Sequence, residues 1–219
     1  TFSRNINKRK SIVTTGLGLT GVPHIGTLSQ ILRSIVLQKA GIPVQMVLGD
    51  LDAYNHKAKP LQEALGLVEK YRKFILKLGF KSKFPSILRA QYDELQVLRT
   101  SYLIGHFIDH KMFNGTEEDL HNFYSKRGKI DKEMTYRRQL SLNLMTADFI
   151  DLHFTYGFNN VLVMLGVDEH QYVRFAEETI RRIKLSKQFN NFDLNANSEV
   201  VIIVRNRTNT GSTLYRTCN

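Results

Sequence analysis

The chain has 219 residues, 42% hydrophobic and 23% charged, which is enough to bury one sizeable core, so a single domain over 1–219 is expected. Its single cysteine, Cys218, excludes an internal disulfide framework and a multi-cysteine metal centre, and no run approaches the roughly 18 apolar residues of a membrane span. A formal charge of +11 suits a polyanionic partner without selecting one, and the opening Thr1-Phe2-Ser3-Arg4 begins no secretory signal, so the expectation is a cytoplasmic protein away from membranes.

An apolar strand at 12–15 runs into Gly16, Gly18 and Gly21 and then into His24-Ile25-Gly26-Thr27. Leu28, Ile31, Leu32, Ile35 and Val36 follow helical spacing and predict a helix over 27–40. Backbone N–H groups at a helix N-terminus point outward unpaired and carry the positive end of the helix dipole, so a phosphate chain can dock there if no side chain blocks it. Two other readings stand at this point. Gly16-x-Gly18-x-x-Gly21 matches a dinucleotide fingerprint, for which Asp50 comes late as the ribose acid. The stretch also suits a plain glycine-rich turn with a structural histidine.

A buried strand at 44–48 ends in Gly49-Asp50-Leu51-Asp52, and a right-handed crossover through the helix joins it to the first strand. Ligands lie beyond the carboxyl ends of parallel strands, so Asp50 and Asp52 suit an ammonium group or a ribose; ordinary turn chemistry also places Asp there. The stretch 60–150 then reads as a helical insertion. A helix over 60–78 carries Leu61, Leu65, Val68, Tyr71, Phe74, Ile75 and Leu78 on one face, 91–113 repeats the pattern, and Thr116-Glu117-Glu118-Asp119 opens a third helix. Residues 128–132 are the expected mobile loop. Basic residues gather at Lys57-Ala58-Lys59 and along Lys70, Arg72, Lys73, Lys77, Lys81 and Lys83, with the pairs Arg137-Arg138 and Arg181-Arg182 on other helices. Phosphate contacts from such residues carry affinity rather than specificity.

A third apolar strand at 161–165 meets Gly166, Asp168 and Glu169 before an amphipathic helix with Phe175, Ala176, Ile180 and Ile183. Asp168 is either a ligand acid or that helix's N-cap. The tail offers a last strand at 200–204 and a polar loop at 206–213. The fold class is therefore α/β, a Rossmann-like, largely parallel sheet with helices on both faces.

Gly21-Val22-Pro23-His24-Ile25-Gly26-Thr27 resembles the HIGH signature of class I aminoacyl-tRNA synthetases, with Thr27 in place of the usual last histidine or asparagine. The strand ending in Asp50 and Asp52, and Gly166-Val167-Asp168-Glu169, resemble in order the second strand and the Gly-x-Asp-Gln segment of the tryptophanyl and tyrosyl branch. The resemblance implies ATP with magnesium: His24 and Thr27 hold the phosphates, Gly16, Gly18 and Gly26 admit the adenosine, and Gly166 and Asp168 hold the ribose. It implies an amino-acid pocket drawn from Asp50, Asp52, Ser141, Met145 and Asp148. The branch typically shows Tyr, Gln and Asp at the last three positions, and only the acid is retained here.

No Lys-Met-Ser-Lys-Ser loop is found; Arg205, Arg207 and Ser212 are the candidates for its phosphate contacts. No anticodon-binding domain follows within the chain. The implied function is ATP-dependent activation of an amino acid and its transfer to tRNA by a homodimer. The alternative is a paralogue that binds tRNA or nucleotide without aminoacylation, or that serves a non-tRNA acceptor.

Overall fold

The computed structural model describes residues 11–125, 134–166, 170–189 and 192–196. Five parallel strands form one sheet in the order β3-β2-β1-β4-β5: β1 (Ser11–Gly18), β2 (Val44–Gly49), β3 (Ile87–Ala90), β4 (Asn160–Val163) and β5 (Asn195–Ala196). Helices α1 (Ile25–Lys39), α2 (Asp50–Asn55) and α3 (Leu61–Lys77) belong to the first half. Helices α4 (Leu95–Ile104), α5 (His110–Ser125), α6 (Tyr136–Tyr156) and α7 (His170–Ser186) belong to the second.

Alternation along the strands sends two different sets of side chains to two helical layers. Val13 and Leu17 of β1, Met46 and Leu48 of β2, and Leu88 and Ala90 of β3 pack with Ile31 and Ile35 of α1 and with Val68, Tyr71 and Ile75 of α3. On the opposite face Ile12, Val161 and Val163 meet Val97 and Ile104 of α4, Leu144, Ala147 and Ile150 of α6, and Val173, Ala176 and Ile180 of α7. Each such aliphatic side chain contributes about 1.5–3 kcal/mol through burial, so an Ile31→Asp change would detach α1 from the sheet. Near β2 and β3 this second face is polar. Thr14, Gln45 and Arg89 point at α6 there, all of them buried. Helix α6 stops at Gly157, whose φ of +71° is left-handed and favours glycine.

The elements differ from expectation in several places, and the helical pattern expected over 91–113 is divided between α4, a 3-10 turn at Gly105–Phe107 and the start of α5. β1 continues through Gly18 because it keeps pairing with β2 to the register Gly18↔Gly49. Helix α1 opens at Ile25, with His24 as its cap. The stretch read as a wholly helical insertion contains β3, a strand too short to show a period of its own. Thr116 does not open a helix: it lies inside α5, where its hydroxyl donates to the Met112 carbonyl at 3.0 Å. The loop 128–132 and the strand 200–204 lie outside the described residues.

Candidate functional site

Strand pairing creates the site. β1 pairs with β2 as far as Gly18, but with β4 only from Ser11↔Asn160 to Thr14↔Val163. Beyond Thr14 the two strands part, where the sheet order reverses direction about β1, and a crevice opens at their carboxyl ends. Its near corner is pinned by the Thr15 hydroxyl donating to the Met164 carbonyl at 2.7 Å and by the Met164 N–H donating to Thr14 at 2.8 Å. The resulting cavity has a volume of about 570 Å³. Gly16, Leu17 and Gly18 of β1, Gly49 at the end of β2, and Met164, Leu165 and Gly166 after β4 line it, between α1 from one face of the sheet and α6 from the other.

At the start of α1, His24 caps its own helix. Its Nδ1 accepts the backbone N–H of Gly26 at 3.1 Å and of Thr27 at 3.4 Å. The exposed N–H groups expected to receive a phosphate are therefore taken by the imidazole. An Nδ1 that accepts leaves the ring proton on Nε2, so the group offered outward is the Nε2–H donor. Gly26 has a role here that the sequence did not suggest. A Cβ at that position would stand 2.9 Å from His24 Cε1 and 3.0 Å from Nδ1, so only glycine lets the ring cap the helix. Thr27 lies buried behind it and also lines the cavity. Arg33, Lys57 and Arg138 supply positive charge to the lining, and His56 Nδ1 stands 3.5 Å from Asp52 Oδ1.

The other wall comes from α6. Ser141, Met145 and Asp148 recur at helical spacing and all line the cavity, together with Leu142 and Phe149. Asp148 is buried in a set of fixed donors. Arg89 Nη2 donates to its Oδ1 at 3.0 Å, Gln91 Nε2 donates to its Oδ2 at 2.9 Å, and Gln45 Nε2 donates to its backbone carbonyl at 3.2 Å. Arg89 also reaches Asp151 Oδ2 at 3.3 Å, whose other oxygen accepts from Thr155 at 2.8 Å and Thr100 at 3.3 Å. Burial pushes the Asp148 carboxyl up to about 6, against the lowering effect of Arg89 and Gln91 and with the help of the neighbouring Asp151 and Asp50 charges. The Ser141 hydroxyl is buried and, among the described residues, has no hydrogen-bond partner.

Asp50 is the candidate that the structure removes from the lining. Its carboxylate turns back to accept the N–H groups of Leu51 at 3.0 Å, Gln91 at 2.9 Å and Tyr92 at 3.2 Å, tying β3 to α2. Burial raises its pKa, and those backbone donors partly offset the rise. Asp52, two residues on, does line the cavity. Asp168, Arg205, Arg207 and Ser212 lie outside the described residues. Sequence reading missed Arg89 and Gln91. A charged residue inside the apolar strand Ile87-Leu88-Arg89-Ala90 was the available signal, since a buried Arg requires a partner.

Comparisons with known proteins agree with this architecture. The chain is 32% identical over 186 residues to the tryptophan–tRNA ligase of Thermoplasma volcanium, covering 84% of this chain and 40% of that protein. The tryptophanyl-tRNA synthetase structure from Aeropyrum pernix matches with a TM-score of 0.64 at 21% identity, over 80% of this chain and 44% of that one. The Campylobacter jejuni enzyme, solved with ADP and tryptophan, matches at a TM-score of 0.65 and 20% identity, over 88% and 57% of the two chains. At such identities the structural likeness speaks for the fold, and the chain spans about two-fifths of the length of the ligase it matches. Among the described residues no helix is long and apolar enough to cross a membrane. The family model of the class I tRNA synthetases (W and Y) matches residues 6–205, nearly the whole sequence, and the chain belongs to that family.

Proposed function

We propose that this chain activates an amino acid with ATP as its aminoacyl-adenylate and passes the acyl group to tRNA, with tryptophan as the first candidate. The cavity carries the reading, because it joins a histidine-capped helix start and three cationic side chains to an apolar wall holding one buried carboxylate. The identity to a tryptophan–tRNA ligase supports the choice of amino acid.

In this reading the amino-acid carboxylate attacks the α-phosphorus of ATP in line, and the bond to the bridging oxygen breaks with release of pyrophosphate. A tRNA hydroxyl then attacks the acyl carbon and AMP leaves. Such catalysis needs positioning and charge stabilisation rather than a nucleophilic side chain. His24 Nε2–H donates to a phosphate oxygen, while Arg33, Lys57 and Arg138 offset its charge. The open backbone at Gly16 and Gly18 lies against the adenosine, with Gly26 and Gly166 beside it, and Asp168 accepts from the ribose. Asp52 faces the substrate ammonium group. Asp148 accepts from a side-chain N–H beside Met145 and Ser141. Magnesium arrives as the counter-ion of the ATP phosphates. Cytoplasmic location and a homodimer complete the proposal; sedimentation at micromolar concentration tests the second.

The deciding experiment is ATP–pyrophosphate exchange with each of the twenty amino acids. Exchange with tryptophan alone is the expected result. Exchange with none, beside measurable binding of ATP or tRNA, would transfer the proposal to a binding paralogue.

A further inference from the structure

Gln91, the first residue after β3, connects three elements through three polar groups. Its backbone N–H donates to Asp50 Oδ1 at 2.9 Å, its Oε1 accepts the backbone N–H of Asp52 at 3.1 Å, and its Nε2 donates to Asp148 Oδ2 at 2.9 Å. The residue is 4% exposed and lines the cavity. Two residues earlier on the same face of β3, Arg89 takes the other oxygen of Asp148 at 3.0 Å. Both oxygens of that carboxylate are thus held by one strand, and the helix start carrying Asp52 hangs from the same amide.

We infer that Gln91 is a specificity-determining positioning residue of the amino-acid site, because its amide fixes the rotation of the Asp148 carboxylate and the seat of Asp52 together. The inference rests on the adenylation reading. A carboxamide suits the place for a chemical reason: it offers one donor and one acceptor in a single plane, and the two groups it meets are an acceptor and a donor. Glutamate would turn the donor into a second carboxylate facing Asp148. Methionine would keep the volume and leave both Asp148 Oδ2 and the Asp52 N–H without this partner. The charged groups around Asp148 are Arg89 on β3, Asp151 on α6 and Asp50 on α2, with His56, Lys57 and Arg138 also lining the cavity. None of them can replace the amide's double contact.

The test uses Gln91→Glu and Gln91→Met in the full-length protein, with ATP–pyrophosphate exchange driven by tryptophan. At pH 7.5 both variants should raise the KM for tryptophan about tenfold or more, as losing a buried hydrogen bond that orients a substrate does, with the KM for ATP within about twofold. At pH 6 the Gln91→Glu variant should recover part of the loss, since the introduced carboxyl shares a proton with Asp148 and becomes a donor again, whereas Gln91→Met should not. Equal rises in both KM values, no rise, or identical pH behaviour of the two variants would overturn the inference. A carbon-detected NMR titration of the Asp148 carboxyl gives a readout independent of turnover. Gln91→Met removes a donor to the ionised form, so the Asp148 midpoint should rise. If the unmodified protein exchanges no amino acid, the adenylation reading fails, and the titration alone decides for Gln91: an unmoved midpoint rejects it and a raised one sustains it.

Discussion

Replacing Gly26 by alanine separates the helix cap from the helix itself. The new Cβ would lie 2.9 Å from His24 Cε1 and 3.0 Å from Nδ1, so the ring must leave the cap and surrender the two N–H groups that it accepts at 3.1 and 3.4 Å. A lost N-cap costs about 1 kcal/mol, and alanine returns about 0.5–1 kcal/mol over glycine within a helix. The net change in stability is therefore under about 1 kcal/mol, equivalent to a shift in Tm of at most about 4 °C for a domain of this size. Catalysis should respond quite differently. A displaced ring no longer aims Nε2–H at the phosphate, and a hydrogen bond to a charged group is worth about 1.5–3 kcal/mol, which predicts a fall in kcat/KM for ATP of about 10- to 100-fold. Pyrophosphate exchange and thermal unfolding on the same preparation measure both quantities. A variant within twofold of the parent in kcat/KM would refute the role given to His24, and a collapse in Tm beyond about 10 °C would refute the account of Gly26.

Three further outcomes follow from the buried acids and from Ser141. Arg89→Met leaves Asp148 and Asp151 without their cation and should destabilise the fold by about 3–5 kcal/mol at pH 7.5 in urea titrations, less at pH 5 where Asp148 takes up a proton. Because burial holds Asp148 near 6, above its ordinary 3.8, the folded state keeps a proton that the unfolded chain has lost; stability should fall as pH rises from about 4 to about 6 and then level off. Asp148→Asn should flatten that part of a pH–stability profile measured by urea denaturation, and an unchanged slope would remove Asp148 as its source. Among the described residues the Ser141 hydroxyl has no partner, so Ser141→Ala should change stability by no more than about 0.5 kcal/mol; a larger loss would show that the hydroxyl is already engaged.

What the sequence revealed and what it hid divide along the reach of the signals. The order of strand, glycines, helix and acid at 12–52 was legible because each cue is local: β1, α1 and β2 stand where the pattern put them, within a few residues. The triplet Ser141, Met145 and Asp148 was legible for the same reason, since helical spacing alone places them on one side of α6. β3 was not, because four residues flanked by loops show no period, and with it went Arg89 and Gln91, whose meaning depends on partners 39 to 62 positions away. Asp50 misled because a carboxylate at a strand end reads identically whether it turns toward a ligand or, as here, back to the N–H groups of Gln91 and Tyr92. The histidine cap was hidden too, for the sequence marks a helix start without saying which side chain will occupy it.

The early separation of β4 from β1 bears on how freely such a frame can change its occupant. A recess that exists because one strand is shorter than its neighbour belongs to the main chain, and replacing side chains around it alters which small molecule fits without abolishing the recess. Only an insertion or deletion that let β4 run on beside Gly16 and Gly18 would close it. Point substitutions can thus redirect what is held there at little risk to the opening itself, and lineages built on this sheet can exchange substrates while keeping the same place in which to hold them.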